Sequence, residues 1–395
     1  MKKVGIITHY YQSQNFGGNL QAYALATYLC QNGYSAEQIS FQGNFDTPGG
    51  KRKRNLKFVV QLPFRAARSV VLRCRKAVEE KVHHVARRRK MAFSHFNLQT
   101  IPHSEKVYTS DTIFECAKEY DAFITGSDQV WNLKWYNPEY FLHFVPAEKQ
   151  KIAYAASVTA ESLTDEQKRI FEAHLRDFDA VSVRERGAVT MLAPLSPVPV
   201  AHALDPTLLL SREDWDGICS ERLVKEEYLF CYFLGENKNE RRLARAFAHK
   251  HHLKLVTIPH SGGWIKASDI GYGDIQCFDA SPKDFLSLIK HANYVFTDSF
   301  HAVVFSQIYQ KQYFVFNRRK DGEMSSRIRD VTALFDTEDH FCYDDTRANM
   351  KYIASVQEID YGRENLVLEN MLRTSSAFLK DSLNHNQVNK NAGEK

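Results

Sequence analysis

Residues 293–308 read Asn-Tyr-Val-Phe-Thr-Asp-Ser-Phe-His-Ala-Val-Val-Phe-Ser-Gln-Ile. The β-rich run Tyr294 to Thr297 meets a polar turn able to cap a helix, and an apolar helix-like run follows from Ala302. In an open α/β sheet such a junction lies at the carboxyl end of a strand, where ligands bind. The first turn of the helix offers its unpaired N–H groups to an anion. His301 stands in that first turn, and an imidazole there can pass a proton near neutral pH. Taken alone, such a histidine is more often half-buried and bonded to a backbone carbonyl, so its neighbours decide its meaning.

Outward from this stretch the pattern repeats. Val4 to Thr8 reads as a buried strand, followed by a polar loop with two glycines (9–21) and a helix ending near Asn32-Gly33. Further strands are expected at Ile39 to Phe41, Asp121 to Thr125, Lys151 to Ser157 and Ala180 to Val183. Thr164 and Gln167 have the spacing of a capping box. After Asp205-Pro206, a candidate linker, a second alternation begins: strands at Tyr228 to Leu234, Leu253 to Ile258, Tyr294 to Thr297 and Tyr313 to Phe316, with helices at Asn239 to His251 and Ser281 to Lys290. Parallel βαβ units twice over predict an α/β protein with two Rossmann-like domains facing across a cleft. The expected boundaries are 1–210, with a basic helical insertion at about 46–100, then 211–345, helices over 346–385 and a polar tail at 386–395.

A chain of 395 residues is long for one core, and 44% apolar with 25% charged residues is ordinary for a globular enzyme. Its seven cysteines (Cys30, Cys74, Cys116, Cys219, Cys231, Cys277, Cys342) are scattered and form no Cys-x-x-Cys pair. That usage argues for a reducing compartment and against a disulfide framework or structural zinc. No window is apolar over the length a bilayer-spanning helix requires, and the N-terminus lacks the pattern of a signal peptide. A cytoplasmic location is expected.

The net charge of +5 conceals an asymmetry. Residues 51–90 carry fifteen Lys and Arg against Glu79 and Glu80 alone, which puts that segment near +13 and the remainder near −8. Phe58, Val59, Leu62, Phe64, Val70 and Leu72 interleave with Arg65, Arg68, Arg73 and Arg75. Such a basic amphipathic helix suits the surface of an anionic membrane, although packing on its own domain is nearly as good a reading. No nucleic-acid module accompanies the run, so no nucleic-acid partner is expected.

Four polar clusters interrupt strand ends: Asn15 to Gln21, Gly126 to Asn132, Ser182 to Arg186, and Asp298 to His301 with Ser325 to Arg329 shortly after. Facing Rossmann-like halves bring such ends to opposite rims of one cleft. Arg184 and Arg186, two residues apart, are expected on one side of an extended strand, where arginine can clamp carboxylate or phosphate. A surface ion pair with Glu185 is the plainer alternative. Asp128 suits a catalytic base or a helix cap, and Trp131 and Trp135 suit sugar stacking or core packing.

Together, Asn-Phe-Gly-Gly-Asn-Leu-Gln-Ala-Tyr-Ala-Leu (15–25), Thr-Gly-Ser-Asp-Gln-Val-Trp-Asn (125–132), Ser-Val-Arg-Glu (182–185), Leu-Asp-Pro-Thr-Leu-Leu (204–209) and Thr-Asp-Ser-Phe-His (297–301) resemble the polysaccharide pyruvyltransferase family. The resemblance spans residues 1 to about 340. It implies a GT-B-like fold, phosphoenolpyruvate as donor, and a pair of sugar hydroxyls as acceptor that becomes a pyruvate ketal, in bacterial surface or capsular polysaccharide synthesis. It further implies that Arg184 and His301 act on the donor. Some members carry Arg two residues before that His, where this chain has Ser299, and Arg327, or failing that Arg329, is the expected substitute.

The expected catalytic pair is therefore His301 as acid and Asp128 as base. Donor binding is assigned to Arg184, Ser299, Phe300, Arg327, Asn15, Gly17 and Gly18, and acceptor binding to Asn19, Gln129 and Trp131. No metal or cofactor is expected, and the expected acceptor is a sugar; if it is a lipid-linked saccharide at the inner face of the plasma membrane, the basic segment would hold the cleft near it. A nucleotide-sugar-dependent glycosyltransferase on the same architecture is the competing reading.

Overall fold

The apolar runs become strands with every neighbour parallel, so the central strands are covered on both faces and read as continuously hydrophobic. The computed structural model describes residues 1–43, 84–259, 266–318 and 323–384. Most of the basic segment 51–90 and the tail 386–395 lie outside the described residues.

The first half contains β1 (Lys3–Ile7), α1 (Phe16–Gln31), β2 (Ser35–Phe41), the helical stretch α2 (84–99), β3 (His103–Tyr108), β4 (Ala122–Thr125), β5 (Gln150–Ala156), α3 (Asp165–Leu175), β6 (Ala180–Val183), α4 (Arg186–Leu192) and β7 (Val200–His202). Its sheet runs β3-β2-β1-β4-β5-β6-β7. After the short α5 (Arg212–Asp216) come β8 (Tyr228–Tyr232), α6 (Lys238–Lys250), β9 (Lys254–Thr257), β10 (Ile275–Gln276), α7 (Pro282–Lys290), β11 (Tyr294–Thr297), α8 (Phe300–Ile308), β12 (Gln312–Phe316), α9 (Glu323–Leu334), β13 (Phe341–Cys342), α10 (Met350–Ile353) and α11 (Leu366–Asn384). The second sheet runs β10-β9-β8-β11-β12-β13. Both orders reverse direction at their centre, between β1 and β4 and between β8 and β11. These are the switch points at which a Rossmann-like sheet opens a crevice. The two-domain, GT-B-like α/β architecture expected from the sequence is the fold.

Capping chemistry sets the helix starts where the sequence placed them. Thr164 and Gln167 form the capping box of α3, and Ser281 with Asp284 forms that of α7. The edge strand β3 escaped the sequence reading because its polar, largely exposed residues lack an apolar run.

One core is shared by the two halves. Phe16 of α1 stacks on Phe285 of α7 with ring centroids 4.7 Å apart and meets Tyr232 of β8 edge-on at 5.7 Å. Phe93 of α2 also packs on Phe16, with ring centroids 4.9 Å apart, and Arg89 donates from Nη1 to the Pro259 carbonyl at 2.8 Å. The segment after Asp205-Pro206 is no loose linker: Trp215 is fully buried, meets Phe305 edge-on at 4.8 Å, and donates its indole N–H to Thr207 O. The C-terminal helix α11 then returns to the first half. Leu379 and Leu383 enter the core around Val4, Ile6 and Leu25, and Ser375 Oγ accepts from Leu204 N–H at 3.0 Å. Among the described residues, no helix is long and apolar enough to cross a membrane.

Candidate active site

The loops that leave the four switch-point strands meet at the junction of the halves. In the first half, Asn15 caps α1 by accepting from Gly18 N–H at 3.3 Å. The buried Gln21 carboxamide ties the loops after β1 and β4 together: it accepts from Ser127 N–H at 3.0 Å and donates to Thr8 Oγ1 and Gly18 O, both at 2.9 Å. Gly126 has φ +116°, and a Cβ there would stand 2.2 Å from Tyr154 O, so only glycine fits. Asp128 follows at φ 62°, a left-handed conformation that Asp tolerates, and its side chain is buried in the site.

Asp205, fully buried, is the centre. Its Oδ2 accepts from Arg184 Nη1 at 2.7 Å and stands 3.6 Å from His301 Nε2, while Oδ1 accepts from Thr207 N–H at 3.1 Å and Thr207 Oγ1 at 2.7 Å. Burial alone would raise its pKa, yet the His301 and Arg184 cations and the Thr207 hydroxyl hold it well below the usual carboxylate range. Arg184, also buried, has Nη2 3.7 Å from Asp128 Oδ1 and its guanidinium 4.5 Å from the Phe300 ring centre. Against the cost of burial, Asp205, Glu185 and Asp128 raise its pKa further. Nε and Nη2 of Arg184 and Nε2 of His301 make no hydrogen bond within the protein. Arg184 Nη2 and His301 Nε2 instead face the carboxylates of Asp128 and Asp205 at 3.7 and 3.6 Å, distances a ligand can compete with.

His301 reaches this point from the second half. β11 delivers it, with Ser299 as N-cap of α8, and Ser299 N–H bonds to Thr297 Oγ1 at 3.0 Å. Its ring lies on Gly17, where a Cβ would be 1.9 Å from Nδ1. The N-termini of α1 and α8, each a site of partial positive charge, therefore meet. Asp298 accepts from Leu234 and Gly235 N–H, each at 2.6 Å, and Arg318 Nη2 donates to its carbonyl at 3.1 Å.

Arg327 of α9 is buried, whereas Arg329 is exposed. Desolvation, with repulsion from Arg184 second, pushes the Arg327 guanidinium down to about 10, still charged at neutral pH. With its amide oxygen turned inward, Gln129 accepts from Nη1 and Nη2 of Arg327 at 3.1 and 3.2 Å. The space between Arg184, Phe300 and Arg327 is about 30 Å³, room for one water.

The geometry thus gathers Gly17, Gly18, Asp128, Gln129, Arg184, Ser299, Phe300, His301 and Arg327 about one centre, with Asn15 at its edge. Two expected acceptor contacts are elsewhere. Trp131 is fully buried, stacks on Phe141 at 5.5 Å and donates to Tyr140 O, so the first half's core consumes its ring. Asn19 is buried and spends its amide on Ser13 O and Asn15 O, bracing the loop before α1. Arg186 does not join Arg184, because β6 ends at Val183 and Arg186 opens α4 exposed; the two-residue period holds only inside a strand. The partner of Arg184 is Asp205 rather than Glu185, which instead accepts from Ser157 Oγ and Val158 N–H. Asp205, His9 and Arg318 are the side chains that sequence reasoning passed over as site residues. The Asp-Pro-Thr triplet was the available signal for the first. Among the described residues, no group of three or more His, Cys, Asp and Glu is arranged to hold a metal ion.

Among solved structures, the chain is similar to the UDP-GlcNAc 2-epimerase of Methanocaldococcus jannaschii, at 9% identity and TM-score 0.49 over 95% of this chain and 100% of that one. It is also similar to the UDP-GlcNAc 2-epimerase of Neisseria meningitidis bound to UDP-GlcNAc, at 11% identity and TM-score 0.42 over 96% and 100%. The ADP-heptose lipopolysaccharide heptosyltransferase II of E. coli is similar at 9% identity and TM-score 0.33 over 80% and 85%. No activity passes to this chain from likenesses so distant, and none of the curated proteins matches the sequence. The family described as polysaccharide pyruvyl transferase matches residues 15–319, most of the chain. That span carries every residue gathered at the junction except His9 and Arg327, and the chain belongs to the polysaccharide pyruvyl transferase family.

Proposed function

We propose that the protein transfers the pyruvyl group of phosphoenolpyruvate to two hydroxyls of a sugar, forming a pyruvate ketal and releasing phosphate, in the synthesis of a bacterial surface or capsular polysaccharide. The observation that carries this reading is the convergence of Arg184 and His301, from opposite halves, on the same oxygen of Asp205.

The chemistry assigns each group a task. Arg184, Arg327 and the paired helix N-termini bind the carboxylate and phosphate of the donor. His301 gives a proton to C3, the C2–C3 double bond becomes a methyl group on an electrophilic C2, and one sugar hydroxyl forms a bond to C2. Asp128 takes that hydroxyl's proton. The C2–O bond to phosphate then breaks, the second hydroxyl closes the ring, and its proton leaves with the phosphate or resets His301. One proton enters at C3 and two leave the hydroxyls, so the balance closes with hydrogen phosphate as product. Asp205 holds Arg184 in place throughout and steadies His301 in its charged form before the proton is given up. The pocket lined by Arg184, Phe300 and Arg327 is small, so binding of the donor there calls for the side chains around Phe300 to move apart.

The deciding experiment offers phosphoenolpyruvate and nucleotide sugars in parallel with a panel of galactose, mannose and glucosamine derivatives. Release of inorganic phosphate and a ketal mass on the sugar supports the reading; consumption of the nucleotide sugar alone replaces it with glycosyl transfer. The basic segment 51–90 has the further role of holding the cleft near a lipid-linked saccharide at the membrane's inner face. Its deletion should reduce binding to anionic vesicles and spare turnover of a soluble acceptor. Unchanged vesicle binding removes that role.

A further inference from the structure

A cavity of about 580 Å³ opens beside the junction, walled by the loop after β1, the end of β2 and the loop after β4. Its size is within the roughly 300–1,000 Å³ that holds small ligands. It shares walls with the site already described. Asp128, 3.7 Å from Arg184, and Gln129, the acceptor of Arg327, both line it, as does Asn15 two residues from the glycine under His301.

Its chemistry differs from that of its neighbour. Among the described residues, no Lys or Arg lines the cavity, while Arg184 and Arg327 stand just beyond Asp128 and Gln129. Among the described residues, a polyanion has no cation to pair with on this wall. The wall instead offers neutral hydrogen-bonding groups, His9, Gln12, Ser13 and Gln42, and Trp135, an indole that is 48% exposed at the rim. Amide, hydroxyl and imidazole groups around an exposed aromatic face suit the hydroxyls and the C–H face of a sugar ring. His9 is held edge-on against Tyr140, with ring centroids 4.2 Å apart. Burial pushes its imidazole down to about 4 against the pull of Asp128, so it meets a ligand uncharged at neutral pH.

We propose that this cavity is the acceptor subsite: it takes an uncharged saccharide whose ring lies on Trp135 and whose reacting hydroxyl pair faces His9 and Asp128. The assignment rests on the pyruvyl-transfer reading. It replaces Trp131 by Trp135 as the stacking aromatic and makes His9 a determinant of which hydroxyl pair is accepted.

The test uses the full-length protein and p-nitrophenyl glycosides of galactose, mannose and N-acetylglucosamine as probes. Saturation-transfer NMR without donor reads glycoside binding directly, and a phosphate-release assay reads the two KM values. Trp135→Ala should weaken the transfer signal and raise the acceptor KM roughly three- to tenfold, the worth of one stacking contact, with the donor KM unchanged. His9→Gln should raise the acceptor KM and alter the preference among the three glycosides. Unchanged glycoside binding in both variants, or no binding by the wild type, overturns the subsite. A rise in donor KM in Trp135→Ala overturns it too, because the cavity then holds the donor. If glycosides bind through Trp135 but no phosphate is ever released from phosphoenolpyruvate, the subsite stands and the pyruvyl-transfer reading falls.

Discussion

The imidazole of His301 rests on the Cα of Gly17, one from each half of the molecule, so closely that a single methyl group on Gly17 would sit 1.9 Å from Nδ1. This contact sets the position of His301 relative to Asp205 and Arg184. Gly17→Ala should therefore displace the ring and lower phosphate release by about 10² or more, the usual worth of a positioned acid. Gly187→Ala is the matched control. A Cβ there meets nothing within 4 Å, and helix α4 should gain about 0.5 kcal/mol with unchanged activity. Equal activity of the two variants would show that the contact does not position the acid.

His301→Gln keeps a polar side chain of similar reach and removes the transferable proton. Turnover should fall by roughly 10²–10⁴ while the melting temperature stays within a few degrees. Near-normal turnover would end the assignment of His301 as the acid.

Arg184 and Arg327 should separate by readout. Arg184→Ala leaves Asp205 buried without its closest cation, a loss on the order of 3–5 kcal/mol in a denaturant titration. Arg327→Ala should raise the donor KM, and Arg329→Ala, at an exposed position, should not. If the Arg327 variant keeps its donor affinity, Ser299 has no substitute cation on α9.

Stability should decline in acid in two stages. His9 and His340 are each held near 4 in the folded protein against 6.5 as a free group, chiefly by burial. Between pH 6.5 and 4 the unfolded chain binds protons that the folded chain refuses, so stability is full above 6.5 and falls as pH drops toward 4, by on the order of 3 kcal/mol for each histidine. His9→Gln should remove one share of that slope in a pH series of denaturant midpoints. Asp205, depressed below the carboxylate value of 3.8, adds stability that is present above that value and lost below it. An Asp205→Asn variant whose acid profile matched the wild type's would contradict this coupling.

Much of the site was legible because it lies where strands end. Strand, turn and helix start at Tyr294 to His301 coincide with β11 and α8, and Thr164 and Ser281 cap helices through local hydrogen bonds that short-range sequence specifies. The failures have long-range causes. Trp131 and Asn19 sit in motif positions that look solvent-facing, yet tertiary packing spends one ring on Phe141 and one amide on two carbonyls. Trp135, four residues along, keeps its face exposed at the rim of the cavity.

The sequence alone determined two alternations of buried strands and capped helices, because side-chain period and capping act over a few residues. It also determined which strand ends carry charge. What only the tertiary structure decided is that Asp205, read as part of a turn, gathers Arg184 from β6's end and His301 from α8 around one carboxylate. Residues separated by twenty-one and ninety-six positions are joined there by the pairing of sheets and the shared core at Phe16. Such pairing is a property of surfaces that exist only after each half has folded, and no local pattern in the chain encodes it.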